Sequence, residues 1–300
     1  MREHLLTLKS FAKINWHLQI VGRRDDGFHE LCTIFQTVSL HDTLTFKESE
    51  KLVLTCDDPK IPTGESNLVI KSARILQERF SIEKGAEIHL EKRIPAPGGL
   101  GGGSSNAAVT LLGLIKLWNL KLSIEELCEI GAKLGSDVPF FLYGGTAIGT
   151  GRGTQIEPVE DITESCLLIV TPGVDVPTRE AFARINAPRL TNIEPKSILK
   201  ICRNEAEKLK LRQFELINDF EASVFAIEPE IEKVKQILLE TGAKQALLSG
   251  SGASVFAVFE NKETRQATIK AIEQFDYNWR MFAVATISRE EYRAALEKVF

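Results

Sequence analysis

The sequence has few features that would place it in a membrane or a secretory route. No hydrophobic run among its 300 residues approaches the roughly 18 to 20 apolar residues that span a bilayer. The first residues are interrupted by Arg2, Glu3, His4 and Lys9 before a signal-like apolar core develops. We therefore predict a cytoplasmic protein with no membrane partner.

Paired cysteine motifs are also missing. The five cysteines are scattered, odd in number and contain no C-x-x-C pair: Cys32, Cys56, Cys128, Cys166 and Cys202. This pattern is typical of buried, reduced thiols, and it disfavours both a disulfide framework and a zinc site. We expect no disulfide and no metal-binding cluster in the chain.

The sequence also lacks an excess of positive charge. The chain has 37 Lys+Arg against 41 Asp+Glu, which gives a net charge of −4 and a pI of about 5.9. A surface of this kind does not favour nucleic acid, so anionic substrates need a local binding site. We predict a small-molecule substrate, no nucleic-acid partner and no protein partner.

The composition and length describe an ordered chain of two domains. Hydrophobic residues make up 43 % and charged residues 26 % of the sequence, which excludes global disorder. Cores stop growing at about 250 to 300 residues, so two packed domains are favoured. The first half reads as strands with a few helices, and the pattern changes between Gly153 and Cys166. We predict an α+β fold with domains at 1–158 and 159–300.

The most informative segment is a glycine-rich stretch that follows a predicted strand at Glu87–Ile94. It contains five glycines within the six residues 98–103 and precedes a predicted helix at Ala107–Trp118, for which Ser104 or Ser105 is a natural N-cap. Several backbone N–H groups can converge in such a loop, and the positive end of the helix dipole lies behind them. The segment therefore predicts a site for a di- or triphosphate, although a purely structural glycine turn stays open.

The loop is not one of the two common nucleotide-binding motifs. Ser104 follows Gly103 where a P-loop has its lysine, and no G-x-G-x-x-G fingerprint occurs. Positive charge must come from elsewhere, and Lys13 and Asn15 are two residues apart on a predicted strand, so that both face one side. Taken alone, that pair also fits a solvated strand edge. Asp137, which follows Ser136 in a predicted capped helix start, also fits an ordinary helix N-terminal acid.

These residues together resemble the GHMP kinase family over the length of the chain. The glycine loop and a final Ser-Gly-Ser-Gly are shared across that family, whereas the segment from Asp26 to Leu31 is associated with one of its kinases. The matching segments are Ala12-Lys13-Ile14-Asn15, Asp26-Gly27-Phe28-His29-Glu30-Leu31, Pro95 to Ala108, Gly135 to Phe140, Pro172-Gly173-Val174 with Pro177-Thr178, and Ser249-Gly250-Ser251-Gly252.

The resemblance implies an architecture and a reaction. The first domain would be the ATP-binding domain, like domain 2 of ribosomal protein S5, and the second a ferredoxin-like substrate domain. ATP with Mg²⁺ would phosphorylate the 2-hydroxyl of a cytidyl diphosphate methylerythritol in the non-mevalonate isoprenoid pathway. The two catalytic residues would be Lys13 and Asp137. Asp137 would accept the hydroxyl proton, and Lys13 would hold and polarise both the acceptor and Asp137.

The resemblance also assigns binding residues. Those expected at ATP are Pro95, Ala96, Pro97, Gly98, Gly99, Leu100, Gly101, Gly102, Gly103, Ser104 and Ser105, with Asn67 and Lys92 near adenine. Those expected at the acceptor are Phe28 and Phe182 stacking on cytosine, His29 at the edge of the base, and Asn15 and Thr178 at the diphosphate and erythritol. No residue is assigned as a metal ligand, and Ser105 is the candidate that the family suggests for Mg²⁺.

Two departures from the family pattern and two alternatives accompany this interpretation. Phe28 stands where a tyrosine is common, and Thr154 stands where an acid is expected. A mevalonate or homoserine kinase would use the same loop with another acceptor, but the segment from Asp26 to Leu31 disfavours it. A non-catalytic ATP sensor on the same scaffold is the other alternative, and the presence of both Lys13 and Asp137 disfavours that one.

Overall fold

The larger of two β-sheets carries most of the first half of the chain. The computed structural model describes residues 5–185, 187–190, 195–210, 216–275 and 277–296. Among these residues, seven strands form this sheet: β1 Leu6–Arg23, β2 His29–Ser49, β3 Val53–Cys56, β4 Gly85–Glu91, β5 Thr146–Thr150, β6 Gln155–Pro158 and β8 Ile217–Asn218. Their order is β3-β4-β2-β1-β8, with β5 pairing β2 and β6 pairing β5.

Helices cover the larger sheet and bury its apolar side chains. Strand residues such as Leu44, Phe46 and Ile88 share one hydrophobic cluster with residues of the first helices. Tyr292 and Leu296, from the end of the chain, join the same cluster. The helices concerned are α1 Leu68–Phe80, α2 Gly102–Leu117, α3 Ile124–Leu134, α4 Phe140–Tyr143 and α10 Arg289–Ala295.

The smaller sheet consists, within the described residues, of β7 Leu167–Thr171, β9 Gln245–Leu248, β10 Val255–Val258 and β11 Arg280–Val284. These four strands are antiparallel and lie in the order β11-β7-β10-β9. The helices that pack with this sheet are α5 Thr178–Ala183, α7 Glu221–Ile227, α8 Pro229–Glu240 and α9 Lys262–Glu273. Helix α6 Pro195–Lys210 instead contacts β1, β2 and β5 of the larger sheet. The predicted α+β class is therefore confirmed.

A further hydrophobic cluster spans the two sheets, and in it Ile14 and Trp16 of β1 pack with Ile169 of β7 and Phe256 of β10. The strand β8 also returns from the second half of the chain to pair with β1. These contacts hold the two halves together along β1. The boundary at residues 158 and 159 stays a prediction.

Two predicted helix starts are wrong. Helix α2 begins at Gly102 with Gly101 as its N-cap and no side-chain cap, because Gly101 already turns the chain at a φ of 69°. Ser105 instead lies inside the helix, where its hydroxyl accepts a hydrogen bond from Ser10. Ser136 does not cap a helix either, since Gly135 is followed by a turn and α4 begins only at Phe140.

The expectation of five reduced thiols is also wrong. Cys32 and Cys202 form a disulfide between β2 and α6, with their Cα atoms 5.7 Å apart. The pairing joins residues separated by 170 positions, so only the fold brings them together. Cys56, Cys128 and Cys166 are free.

Within the described part of the chain, no helix combines the length and apolar character needed to cross a membrane.

Candidate active site

The glycine loop connects β4 to α2 and packs against a second loop from the far end of the chain. Gly99 and Gly101 both have a φ of 69°, which side chains rarely tolerate. A Cβ on Gly99 would lie 2.0 Å from the backbone oxygen of Ser249. The Ser249 hydroxyl donates to the Gly99 carbonyl at 3.0 Å. The close approach of these two backbones therefore requires glycine at position 99.

The loop presents backbone rather than charged side chains to the adjacent cavity. Its residues fall into three groups: Pro97, Gly99, Gly101 and Ser104 line the cavity, Pro95, Gly98, Leu100, Gly102 and Ser105 are buried, and Ala96 and Gly103 are exposed. Helix α2 starts directly behind the loop, so its unpaired N–H groups and its dipole favour an anion there. This arrangement suits a phosphate chain.

Lys13 supplies the positive charge that the loop lacks. Its ammonium lies 3.7 Å from a carboxylate oxygen of Asp137, with the lysine side chain 4 % and the aspartate side chain 31 % exposed. Burial lowers the pKa of Lys13, and the charge of Asp137 acts in the opposite direction. The backbone N–H of Lys13 also donates to the Leu100 carbonyl at 2.9 Å. The structure thus brings a buried cation, an acid and the glycine loop together.

Asn15 lies beside Lys13 on β1 and connects three segments. Its side-chain oxygen accepts hydrogen bonds from the Lys13 ammonium at 2.8 Å and from the backbone N–H of Gly250 at 3.0 Å. Its amide nitrogen donates to the Thr33 hydroxyl at 2.8 Å. Asn15 therefore orients Lys13 and ties the loop of residues 249–252 to the site.

These residues face one cavity of about 430 Å³, which we call the transfer cavity. Its lining includes Lys13, Asn15, Asp137 and Thr178 together with the glycine loop and the loop of residues 249–252. The Thr178 hydroxyl is 3.0 Å from that of Ser251. A separate cavity of about 630 Å³, lined by residues such as Cys166 and Lys244, contains none of the predicted site residues.

A second cavity of about 710 Å³ adjoins the transfer cavity and is called here the aromatic cavity. Phe28, His29 and Phe182 line it. Phe182 stacks on the His29 ring with centroids 5.0 Å apart, while Phe28 is 50 % exposed. Burial, and secondarily the charge of Arg23, lowers the pKa of His29, which favours a neutral ring with one donor and one acceptor nitrogen.

The two predicted adenine-site residues have internal partners. Asn67 is the N-cap of α1, where it accepts from the backbone N–H of Val69. The Lys92 ammonium lies 2.8 Å from Asp42, and both side chains of this pair are buried. Neither residue lines the transfer cavity. Their roles at adenine stay a prediction.

Several residues of the site were not assigned from the sequence. Thr33 holds Asn15, Ser251 contacts Thr178, and Arg152 lines both the transfer and the aromatic cavity. The repeated Ser-Gly pattern at residues 249–252 was the available signal for Ser251. Arg152 lies between two glycines, Gly151 and Gly153, which signal a turn but not its position in space.

The side-chain oxygens in the transfer cavity fit a magnesium ion whose ligands are mainly nucleotide phosphates. Among the described residues there is no cluster of three or more His, Cys, Asp or Glu side chains. Asp137 is the carboxylate and Ser104 a hydroxyl in the transfer cavity, whereas Ser105 is buried against Ser10. Mg²⁺ commonly takes one or two carboxylates and completes its shell with phosphates and water.

Comparison with known proteins identifies the family. The model for the GHMP kinase N-terminal domain matches residues 67–145, and the model for the GHMP kinase C-terminal domain matches residues 198–278. The chain belongs to the GHMP kinase family. It is therefore a small-molecule kinase that uses ATP, and the resemblance noted from its motifs is confirmed.

Within the GHMP kinases, the chain is similar to 4-diphosphocytidyl-2-C-methyl-D-erythritol kinases. One such protein, from Thermodesulfovibrio yellowstonii, is 41 % identical over 90 % of this chain and 95 % of its own length. Another, from Solibacter usitatus, is 38 % identical over 96 % of this chain and 90 % of its own length.

Solved structures extend the comparison to the fold. A crystal structure of 4-(cytidine 5'-diphospho)-2C-methyl-D-erythritol kinase matches with a TM-score of 0.76 and 30 % identity, covering 94 % of this chain and 99 % of the other. A homoserine kinase from Cytophaga hutchinsonii matches with a TM-score of 0.69 and 21 % identity, covering 97 % of each chain. The second likeness shows the shared GHMP kinase fold alone.

Proposed function

We propose that this GHMP kinase transfers the γ-phosphoryl group of ATP to the 2-hydroxyl of 4-diphosphocytidyl-2-C-methyl-D-erythritol, in the non-mevalonate isoprenoid pathway. The observation that carries the proposal is the junction of two cavities. One contains Lys13, Asp137 and the glycine loop, and the other contains Phe28, His29 and Phe182. Relatives of 41 % and 38 % identity that bear this kinase name support the same substrate.

Phosphoryl transfer needs mainly positioning and charge stabilisation. In the proposed mechanism the ATP phosphates lie against the backbone of Gly98 to Ser105 and the start of α2. The acceptor hydroxyl lies at Asp137, which takes its proton as the oxygen bonds to the γ-phosphorus, while the bond from that phosphorus to the β–γ bridging oxygen breaks and ADP leaves. Lys13, 3.7 Å from Asp137, holds that carboxylate and offsets the charge of the phosphoryl group in transit. A bound Mg²⁺ would neutralise charge on the β- and γ-phosphates.

The aromatic cavity accounts for selection of the base. Phe28 offers a ring face for stacking, Phe182 offers the face that is turned away from His29, and the neutral His29 ring can hydrogen-bond the edge of cytosine. Phe28 lacks the hydroxyl of a tyrosine, so its contribution is stacking alone. This kind of recognition needs no basic surface, in agreement with the net charge of −4. In the same proposal Asn15 and Thr178 contact the diphosphate and erythritol.

Other parts of the proposal concern the chain as a whole. Residues 1–158 form the ATP-binding domain and residues 159–300 complete the acceptor site. A cytoplasmic location, Mg²⁺ as the metal, and the absence of nucleic-acid and protein partners stay predictions.

A coupled ADP-release assay with Mg-ATP tests the function directly. The cytidyl methylerythritol substrate is compared with mevalonate and homoserine at equal concentrations. We expect turnover with the cytidyl compound alone, and ³¹P NMR of the product should show a new phosphomonoester on the 2-hydroxyl. Phosphorylation of mevalonate or homoserine instead would leave the ATP loop intact but overturn the assignment of Phe28, His29 and Phe182.

A further inference from the structure

Arg152 lies in the hairpin turn that connects β5 to β6, and hydrogen bonds join this turn to the start of β2. The carbonyl of Gly151, the first residue of the turn, accepts from the Leu31 backbone N–H at 2.8 Å. The N–H of Gly151 donates to the Glu30 carboxylate at 2.7 Å. Because Leu31 and Glu30 directly follow Phe28 and His29, these bonds fix the backbone of Arg152 relative to the base-binding segment.

The side chain of Arg152 packs over Phe28. The guanidinium carbon lies 4.5 Å from the centre of the Phe28 ring. A guanidinium at this distance is attracted to the face of the ring, and it has five N–H donors, more than that contact uses. The two acids of the neighbouring segment, Asp26 and Glu30, form their ion pairs with Arg24. Among the described residues Arg152 is thus held over Phe28, and its charge acts on Asp26 without forming an ion pair with it.

The position of Arg152 between the two cavities indicates its ligand. Four described residues line both the transfer and the aromatic cavity: Leu31, Ser136, Arg152 and Phe182. Arg152 is the charged member of that group. A substrate with its base at Phe28 and its hydroxyl at Asp137 passes through this junction, and the part of it that connects base and alcohol is a diphosphate. A guanidinium matches phosphate oxygens in two parallel hydrogen bonds.

We propose that Arg152 binds the diphosphate of the acceptor substrate and couples that contact to the Phe28 ring. This inference rests on the proposed function, since it requires a cytidyl diphosphate acceptor. Arg152 then makes the enzyme distinguish a cytidine diphosphate from cytidine, which stacking of the base on Phe28 and Phe182 does not do.

The test measures the dissociation constants of cytidine and CDP by calorimetry at fixed ionic strength. Variants are Arg152→Met, Arg152→Lys, and Arg184→Met as the control. The Arg184→Met substitution removes the same charge from the nearby surface. Arg184 forms an ion pair with Glu180 and lines neither cavity, so its loss should not affect the ligand. For Arg152→Met we expect CDP to bind about 10- to 100-fold more weakly, the usual effect of losing charge-assisted hydrogen bonds, with cytidine changed less than about threefold. Arg152→Lys should lie between, and Arg184→Met should match the wild type.

Several results would overturn the inference. An equal loss for cytidine and CDP would show that Arg152 only supports the Phe28 ring. An unchanged CDP affinity in Arg152→Met would show that Arg152 does not bind the diphosphate. A raised KM for ATP in place of weaker CDP binding would show that Arg152 acts on ATP instead. These outcomes reject the role of Arg152 while the wild type still binds CDP and phosphorylates the cytidyl substrate. Failure of the wild type to bind either cytidine compound would reject the proposed function together with this inference.

Discussion

Substitution of Gly99 by alanine tests whether the glycine loop depends on its contact with the loop of residues 249–252. An alanine Cβ would lie 2.0 Å from the Ser249 oxygen and 2.9 Å from the Gly252 oxygen, both of which are backbone atoms. A side chain in the left-handed region costs about 1 to 2 kcal/mol, and overpacking adds about 1 to 3 kcal/mol. We therefore expect Gly99→Ala to lower the free energy of unfolding by at least about 2 kcal/mol.

Urea unfolding followed by circular dichroism measures this loss, and Gly103→Ala is the matched control. Gly103 lies four residues further along, in the first turn of α2. A Cβ added to Gly103 would have its nearest contact at 3.8 Å, with the side chain of Leu68. Alanine there should leave stability unchanged or raise it by up to about 1 kcal/mol. A Gly99→Ala protein as stable as wild type would refute the reasoning, because two backbones in contact could then separate without loss.

Three further predictions concern buried polar groups. The kcat/KM should fall as pH rises, with its midpoint below 10.5, because burial lowers the pKa of Lys13 in the free enzyme and only its charged form stabilises the transferred group; a flat pH profile of kcat/KM up to 10.5 would contradict this. Lys92→Met should lower the free energy of unfolding by about 3 to 5 kcal/mol, since it leaves Asp42 buried without its ammonium partner. Unchanged stability with a raised KM for ATP would instead support a role of Lys92 at adenine. Tyr292→Phe should cost about 0.5 to 1.5 kcal/mol in urea unfolding by removing the buried hydrogen bond to the Phe141 carbonyl, and no loss would contradict that role.

Local patterns in the sequence predicted the relative positions of some candidate site residues. The alternation along a strand placed Lys13 and Asn15 on one side, and the structure joins them by a hydrogen bond of 2.8 Å. A capping box of Ser123 and Glu126 likewise begins α3, and the spacing of these two residues is visible in the sequence. Such features depend on neighbours within a few residues, so the sequence contains the information needed to find them.

Features that depend on distant segments could not be predicted in this way. The start of α2 is set by the left-handed Gly101 rather than by a serine cap, since Ser105 bonds to Ser10 on β1. The pairing of Cys32 with Cys202 and the packing of Gly99 on Ser249 likewise join residues more than a hundred positions apart. Periodicity and capping rules do not cover such contacts, because the fold decides which distant segments meet.

The measurement that tests the proposed chemistry most directly is the kcat of Asp137→Asn with the cytidyl substrate. Asparagine keeps the size of the side chain but cannot take the hydroxyl proton, and general base catalysis typically contributes about 10²- to 10⁴-fold. We expect kcat to fall at least about 100-fold, while calorimetry shows that ATP and the cytidyl substrate still bind. Near wild-type turnover by a folded Asp137→Asn protein would contradict the role of Asp137 as the proton acceptor beside Lys13.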